Sequence, residues 1–85
     1  MMTHCDIGIS PQMAAMMATK PTIDYLCDNY DGGQGIRDSD ICVEMYGKVP
    51  AAVDCPACIR VAELWHQGMS LKKARSTVKA AKLLP

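Results

Sequence analysis

Five cysteines and two histidines carry whatever chemistry this chain can do, and two of them form a knuckle, Cys55-Pro56-Ala57-Cys58, at the mouth of an amphipathic helix. A C-x-x-C turn points both sulfurs to one side, and a helix N-terminus supports thiolate charge, so the pair suits a metal ion. A tetrahedral ion needs two more ligands. Cys27 and Cys42 supply them, giving a Cys-x14-Cys-x12-Cys-x2-Cys spacing. His4 and Cys5 are the alternatives, since either could replace Cys27 if the first helix folds back. His66 is expected to point away from the knuckle, two turns past Cys58.

Two other readings of the knuckle compete with zinc. A Cys-Pro-Ala-Cys opening a helix resembles a glutaredoxin-type redox site, whose exposed first thiol can have a lowered pKa. Such a domain needs a βαββα continuation with a cis-proline facing the thiols, and the 27 residues after Cys58 read as two helices instead. The remaining reading is buried thiols packing as small hydrophobes, which suits Cys5. Five cysteines at uneven spacing cannot all pair, and no secretory leader or membrane span is legible, so a cytoplasmic chain holding a closed, structural zinc site is the expectation.

A site of this kind must be held by short elements, because 85 residues make one domain with a small core. There is no Phe, one Trp and seven Met, and methionine specifies shape poorly. Ser10-Pro11 opens a Met-rich helix ending at Lys20-Pro21, with Met13, Met16 and Met17 on one side. Residues 22–58 form the zinc-binding region. Within it Thr22–Cys27 and Ile41–Tyr46 read as strands of a β-hairpin around a glycine loop at 31–35. That loop lacks the Lys-Ser/Thr of a phosphate-cradling motif. Residues 56–84 read as a helical hairpin: an apolar face of Cys58, Val61, Ala62 and Trp65, a stop at Gly68, and a second helix capped by Ser70 and running to about Leu83. The fold class is α+β.

The spacing resembles a zinc-ribbon or treble-clef arrangement, in which a hairpin gives one ligand pair and a helix start the other. The segment around Val53-Asp54-Cys55-Pro56-Ala57-Cys58, with Cys27 and Cys42, also resembles short phage-encoded zinc-finger proteins whose knuckle reads Val-Thr-Cys-Pro-x-Cys. Those proteins often carry His where this chain has Cys27. The resemblance covers the middle third of the chain. It implies a small accessory protein that modulates or inhibits a host protein complex during host takeover.

Catalysis is not expected, for no Ser/His/Asp set, His-Glu-x-x-His pair or dinucleotide fingerprint is present. The charge is zero overall but split: residues 1–54 hold three basic and eight acidic side chains, and residues 55–85 hold six basic and one acidic. Lys72, Arg75, Lys79 and Lys82 recur every three or four residues, a stripe that could contact phosphates or simply complement the acidic half. Met13, Met16 and Met17 offer an adaptable apolar surface to a protein. A host protein is the first expected partner, nucleic acid the second, and a membrane none.

Overall fold

In a computed structural model, residues 2–30, 33–37 and 40–81 are described, with backbone only at 40–42. The order is β1 (Thr3–Asp6), α1 (Pro11–Met16), β2 (Gln34–Arg37), α2 (Asp40–Tyr46), α3 (Pro56–His66) and α4 (Leu71–Ala80). The class is α+β, as the sequence indicates, but the strands pair differently from expectation. β1 and β2 run parallel, with His4 opposite Gly35 and Cys5 opposite Ile36. No hairpin joins neighbouring strands among the described residues; a crossover containing α1 separates the two.

β1 is the central thread of the fold. On one side lies β2, and on the other the chain at 24–26 pairs antiparallel: Leu26 N–H donates to the Cys5 carbonyl and Ile7 N–H to the Asp24 carbonyl, each at 2.9 Å. The expected strand 22–27 is therefore reduced to a single bridge, Asp6 with Tyr25. Asp6 is a buried carboxylate that holds this junction. It accepts from Gly8 N–H at 2.8 Å and Asp24 N–H at 2.9 Å and faces the Arg37 guanidinium at 3.3 Å, so its charge is satisfied.

The expected strand 41–46 is helix α2. A strand would place Val43 and Met45 on one face, yet Val43 is fully buried while Met45 is 60% exposed. Burial of Val43 in the core, with α2 packed against α3, decides the local structure over the β-preference of the β-branched residues.

The helix starts at 10 and 70 follow from side-chain capping, and that at 55 from Pro56 in the first helical turn. Ser10 and Ser70 accept backbone N–H bonds from Met13 and Lys73, at 3.1 and 3.2 Å. α1 stops at Met16 rather than Lys20 because Ala18 takes a left-handed φ of 53° and Thr19 N–H closes onto the Ala14 carbonyl at 2.9 Å. α3 ends in the same motif with Gly68 at φ 103° and Met69 N–H on the Leu64 carbonyl at 3.1 Å. α3 and α4 pack as the expected helical hairpin, burying Val61, Ala62, Leu64, Ala74 and Val78. The expected end of α4 near Leu83 lies outside the described residues, as does part of the glycine loop. Among the described residues no helix is long and apolar enough to cross a membrane.

Candidate metal centre

The knuckle forms where the sequence places it. Cys55 is the N-cap of α3, with Pro56 in the first helical turn, and its side chain makes no capping bond. Cys55 and Cys58 are both fully buried. Cys27 joins them from a tight turn in which Asp28 N–H returns to the Tyr25 carbonyl at 2.9 Å and Asp28 takes a positive φ of 57°.

The fourth member is His4, from the middle of β1. Its Nδ1 lies 3.3 Å from Cys27 Sγ and 3.7 Å from Cys58 Sγ, and the four donor atoms all fall within 4.8 Å of one another. An ion bonded tetrahedrally to nitrogen at about 2.0 Å and sulfur at about 2.3 Å holds those atoms about 3.5 Å apart. The two observed separations straddle that value. Cys27, Cys55 and Cys58 are outside any disulfide. His4, Cys27, Cys55 and Cys58 can therefore hold a metal ion.

Three of the residues expected as ligands from sequence, Cys27, Cys55 and Cys58, lie in this group, and His4 stands with them, beside Cys27 rather than in its place. Cys42 sits on α2, not on a strand, and its side chain lies outside the described residues. Cys5 is buried next to His4 in the chain, but alternation along a strand sends neighbouring side chains to opposite faces, and it is not part of the cluster. The signal for His4 in the sequence is Thr3-His4-Cys5-Asp6-Ile7, a short stretch with β-branched ends that suits a strand. His66 is exposed on α3, and its Nδ1 faces the Glu44 carbonyl at 2.9 Å.

Backbone contacts lock His4 against the knuckle. Thr3 N–H donates to Asp54 Oδ1 at 2.6 Å, and the Thr3 carbonyl accepts from Asp54 and Cys55 N–H at 3.1 and 3.2 Å. The imidazole stacks on Tyr25, centroids 4.8 Å apart and planes within 12°, and Tyr25 stacks in turn on Tyr30 at 4.9 Å. Gly35 leaves the room, for a Cβ there would run into the Tyr25 ring.

Without a cation the thiols resist ionisation. Cys27 is pushed well above the ordinary thiol range by its hydrogen bond with Cys58, then by burial and by the Cys58 charge. Burial comes first among the causes that push Cys55 up, with the charge of Cys27 adding to it. A divalent ion inverts this logic, because coordination deprotonates a thiol outright.

The basic stripe on α4 turns partly inward. Arg75 ion-pairs with Asp24 at 2.9 Å and Lys79 with Asp28 at 3.7 Å, so two of its charges answer the acidic half of the chain. Lys72, Arg75 and Lys79, with Leu71, Ser76 and Asp28, line an open cleft of about 440 Å³. Lys82 lies outside the described residues. Met13, Met16 and Met17 are 52, 83 and 59% exposed, and α1 buries Ala14 alone, so the methionines do not serve as a lid on the core. Compared with protein-family models, curated proteins and solved structures, the chain matches none.

Proposed function

We propose that this chain is a small, non-catalytic zinc-binding protein whose metal is structural, and that it works by binding another protein. The observation that carries the metal reading is the buried tetrad His4, Cys27, Cys55 and Cys58, with all donor atoms within 4.8 Å. Three thiolates and one imidazole are a borderline-soft nitrogen and sulfur set suited to zinc. Four protein ligands leave no open position for a reacting water, so the ion would hold the fold rather than hydrolyse a substrate. The ion would tie β1, the Cys27 turn and the start of α3, three segments far apart in sequence. Full burial of Cys55 and Cys58 argues against a thiol redox function, which needs an exposed nucleophile.

For the partner, the exposed methionines of α1 supply an adaptable apolar surface. Engagement of Arg75 and Lys79 with Asp24 and Asp28 leaves less free charge for phosphates, which favours protein over nucleic acid. A cytoplasmic chain that modulates or inhibits a host complex, as in the phage-encoded proteins it resembles, rests on that resemblance.

Metal content of protein purified without added zinc or chelator tests the first half. One zinc per chain, with loss of helical circular dichroism on chelation, is the expected result. Metal-free protein with a reversibly oxidised Cys55–Cys58 pair overturns it. Nucleic acid becomes the better partner if an oligonucleotide binds with steep salt dependence and charge reversal at Lys72 abolishes binding.

A further inference from the structure

Cys27 stands in a turn, whereas Cys58 lies within α3 and Cys55 caps its start, and that turn draws little support from its own neighbours. Among the described residues, the hydrogen bonds that close the turn locally are Asp28 N–H to the Tyr25 carbonyl and a long contact of 3.8 Å between Cys27 Sγ and the Asn29 carbonyl. What braces it comes from α4, about fifty residues on. Arg75 Nε–H donates to the Leu26 carbonyl at 2.9 Å, which is half of the peptide linking Leu26 to Cys27. Arg75 Nη2 donates to the Tyr25 carbonyl and to Asp24 Oδ1, both at 2.9 Å.

One guanidinium thus binds three consecutive residues immediately before a metal ligand. Its side chain is only 18% exposed, so these bonds are partly shielded from water. The planar fork of arginine can satisfy several acceptors at once, which a lysine ammonium on a flexible stem does not reproduce. On the far side of the turn, Leu26 N–H bonds the Cys5 carbonyl, so the strand next to His4 and the helix bearing Arg75 grip the same residue from opposite directions.

We propose that Arg75 is a positioning residue of the metal centre, setting the place of Cys27 and coupling α4 to the ion. This rests on the zinc reading above. Outer partners that orient metal ligands typically contribute 10- to 100-fold in metal affinity. The coupling is reciprocal: bound zinc holds α4 against the 24–28 turn as firmly as α4 holds Cys27 for zinc.

The test compares the full-length wild-type chain with Arg75→Ala, Arg75→Lys and Gly68→Ala. Gly68 has φ 103° with open space around it, so alanine there strains the α3–α4 turn without touching residues 24–28. Zinc affinity is measured by competition with a chromophoric chelator, and the order of cysteine alkylation in zinc-loaded protein by peptide mapping. Arg75→Ala is expected to weaken zinc by about 10- to 100-fold and make Cys27 the first thiol alkylated. Arg75→Lys, which keeps the charge and loses the fork, is expected to weaken zinc at least about tenfold, and it carries the test if the alanine variant does not fold. Gly68→Ala should lower the melting temperature yet leave zinc affinity within about twofold of wild type. Wild-type affinity in both Arg75 variants, or equal weakening by Gly68→Ala, overturns the proposal while the zinc reading stands. A wild-type chain that takes up no zinc overturns both.

Discussion

Replacing His4 with alanine is the sharpest test of the centre, because it separates the ligand set found in the fold from the one read along the chain. A structural zinc ion contributes about 10–16 kcal/mol at neutral pH, or about 2.5–4 kcal/mol for each of four ligands. At 1.4 kcal/mol per decade, loss of His4 Nδ1 should weaken zinc by about 100- to 1,000-fold. The imidazole is also fully buried against Tyr25, so its removal opens a cavity that costs about 3 kcal/mol more. At 4–8 °C per kcal/mol for a domain of this size, that second term alone lowers the melting temperature of zinc-saturated protein by on the order of 15 °C. Cobalt substitution gives the assay, since a three-sulfur, one-nitrogen set and a four-sulfur set absorb differently, and chelator competition gives the affinity. Cys42→Ser should keep wild-type affinity, as four ligands already complete the tetrahedron. Wild-type zinc binding in His4→Ala together with its loss in Cys42→Ser would refute the reasoning.

Acidity should act on the same site in a fixed direction. Because Cys27 and Cys55 are held as neutral thiols above their ordinary value of 9.0, each must lose a proton when it binds a cation. Zinc affinity should therefore rise with pH and fall on acidification, and calorimetry in buffers of different ionisation enthalpy should register proton release at neutral pH. Gly35→Ala should displace the Tyr25 ring from His4 and destabilise the fold by about 1–3 kcal/mol, read by thermal melting of zinc-loaded protein. Gly47→Ala should cost a similar amount, about 1–3 kcal/mol, for its φ is 64° and a Cβ would meet the His66 ring at 2.8 Å. Met16→Lys, at a residue 83% exposed, should change stability by less than about 0.5 kcal/mol while removing whatever protein binding the α1 surface supports.

What the sequence determined by itself is local. Ser10-Pro11, Cys55-Pro56 and Ser70 mark helix starts because capping and proline geometry act within one turn, and each holds in the fold. The same holds for Gly68 and for the C-x-x-C knuckle, whose two sulfurs need only three residues and a helix to face the same way. Tertiary structure decided the rest. Ile41–Tyr46 has strand-like residues, yet burial of Val43 in the core, with α2 packed on α3, makes it a helix. Gln34 and Gly35, the end of the expected glycine loop at 31–35, open strand β2 because β1 lies ready beside them. The choice of His4 depends on β1 being gripped by residues 24–26 and 54–55, contacts spanning about twenty and fifty positions that no local pattern encodes. Along the chain Arg75 is one charge of a basic stripe; only the packed fold turns it toward the carbonyls before Cys27. A metal site of this kind is assembled from distant segments, so its chemistry is written in residue types and its membership in the contacts that bring them together.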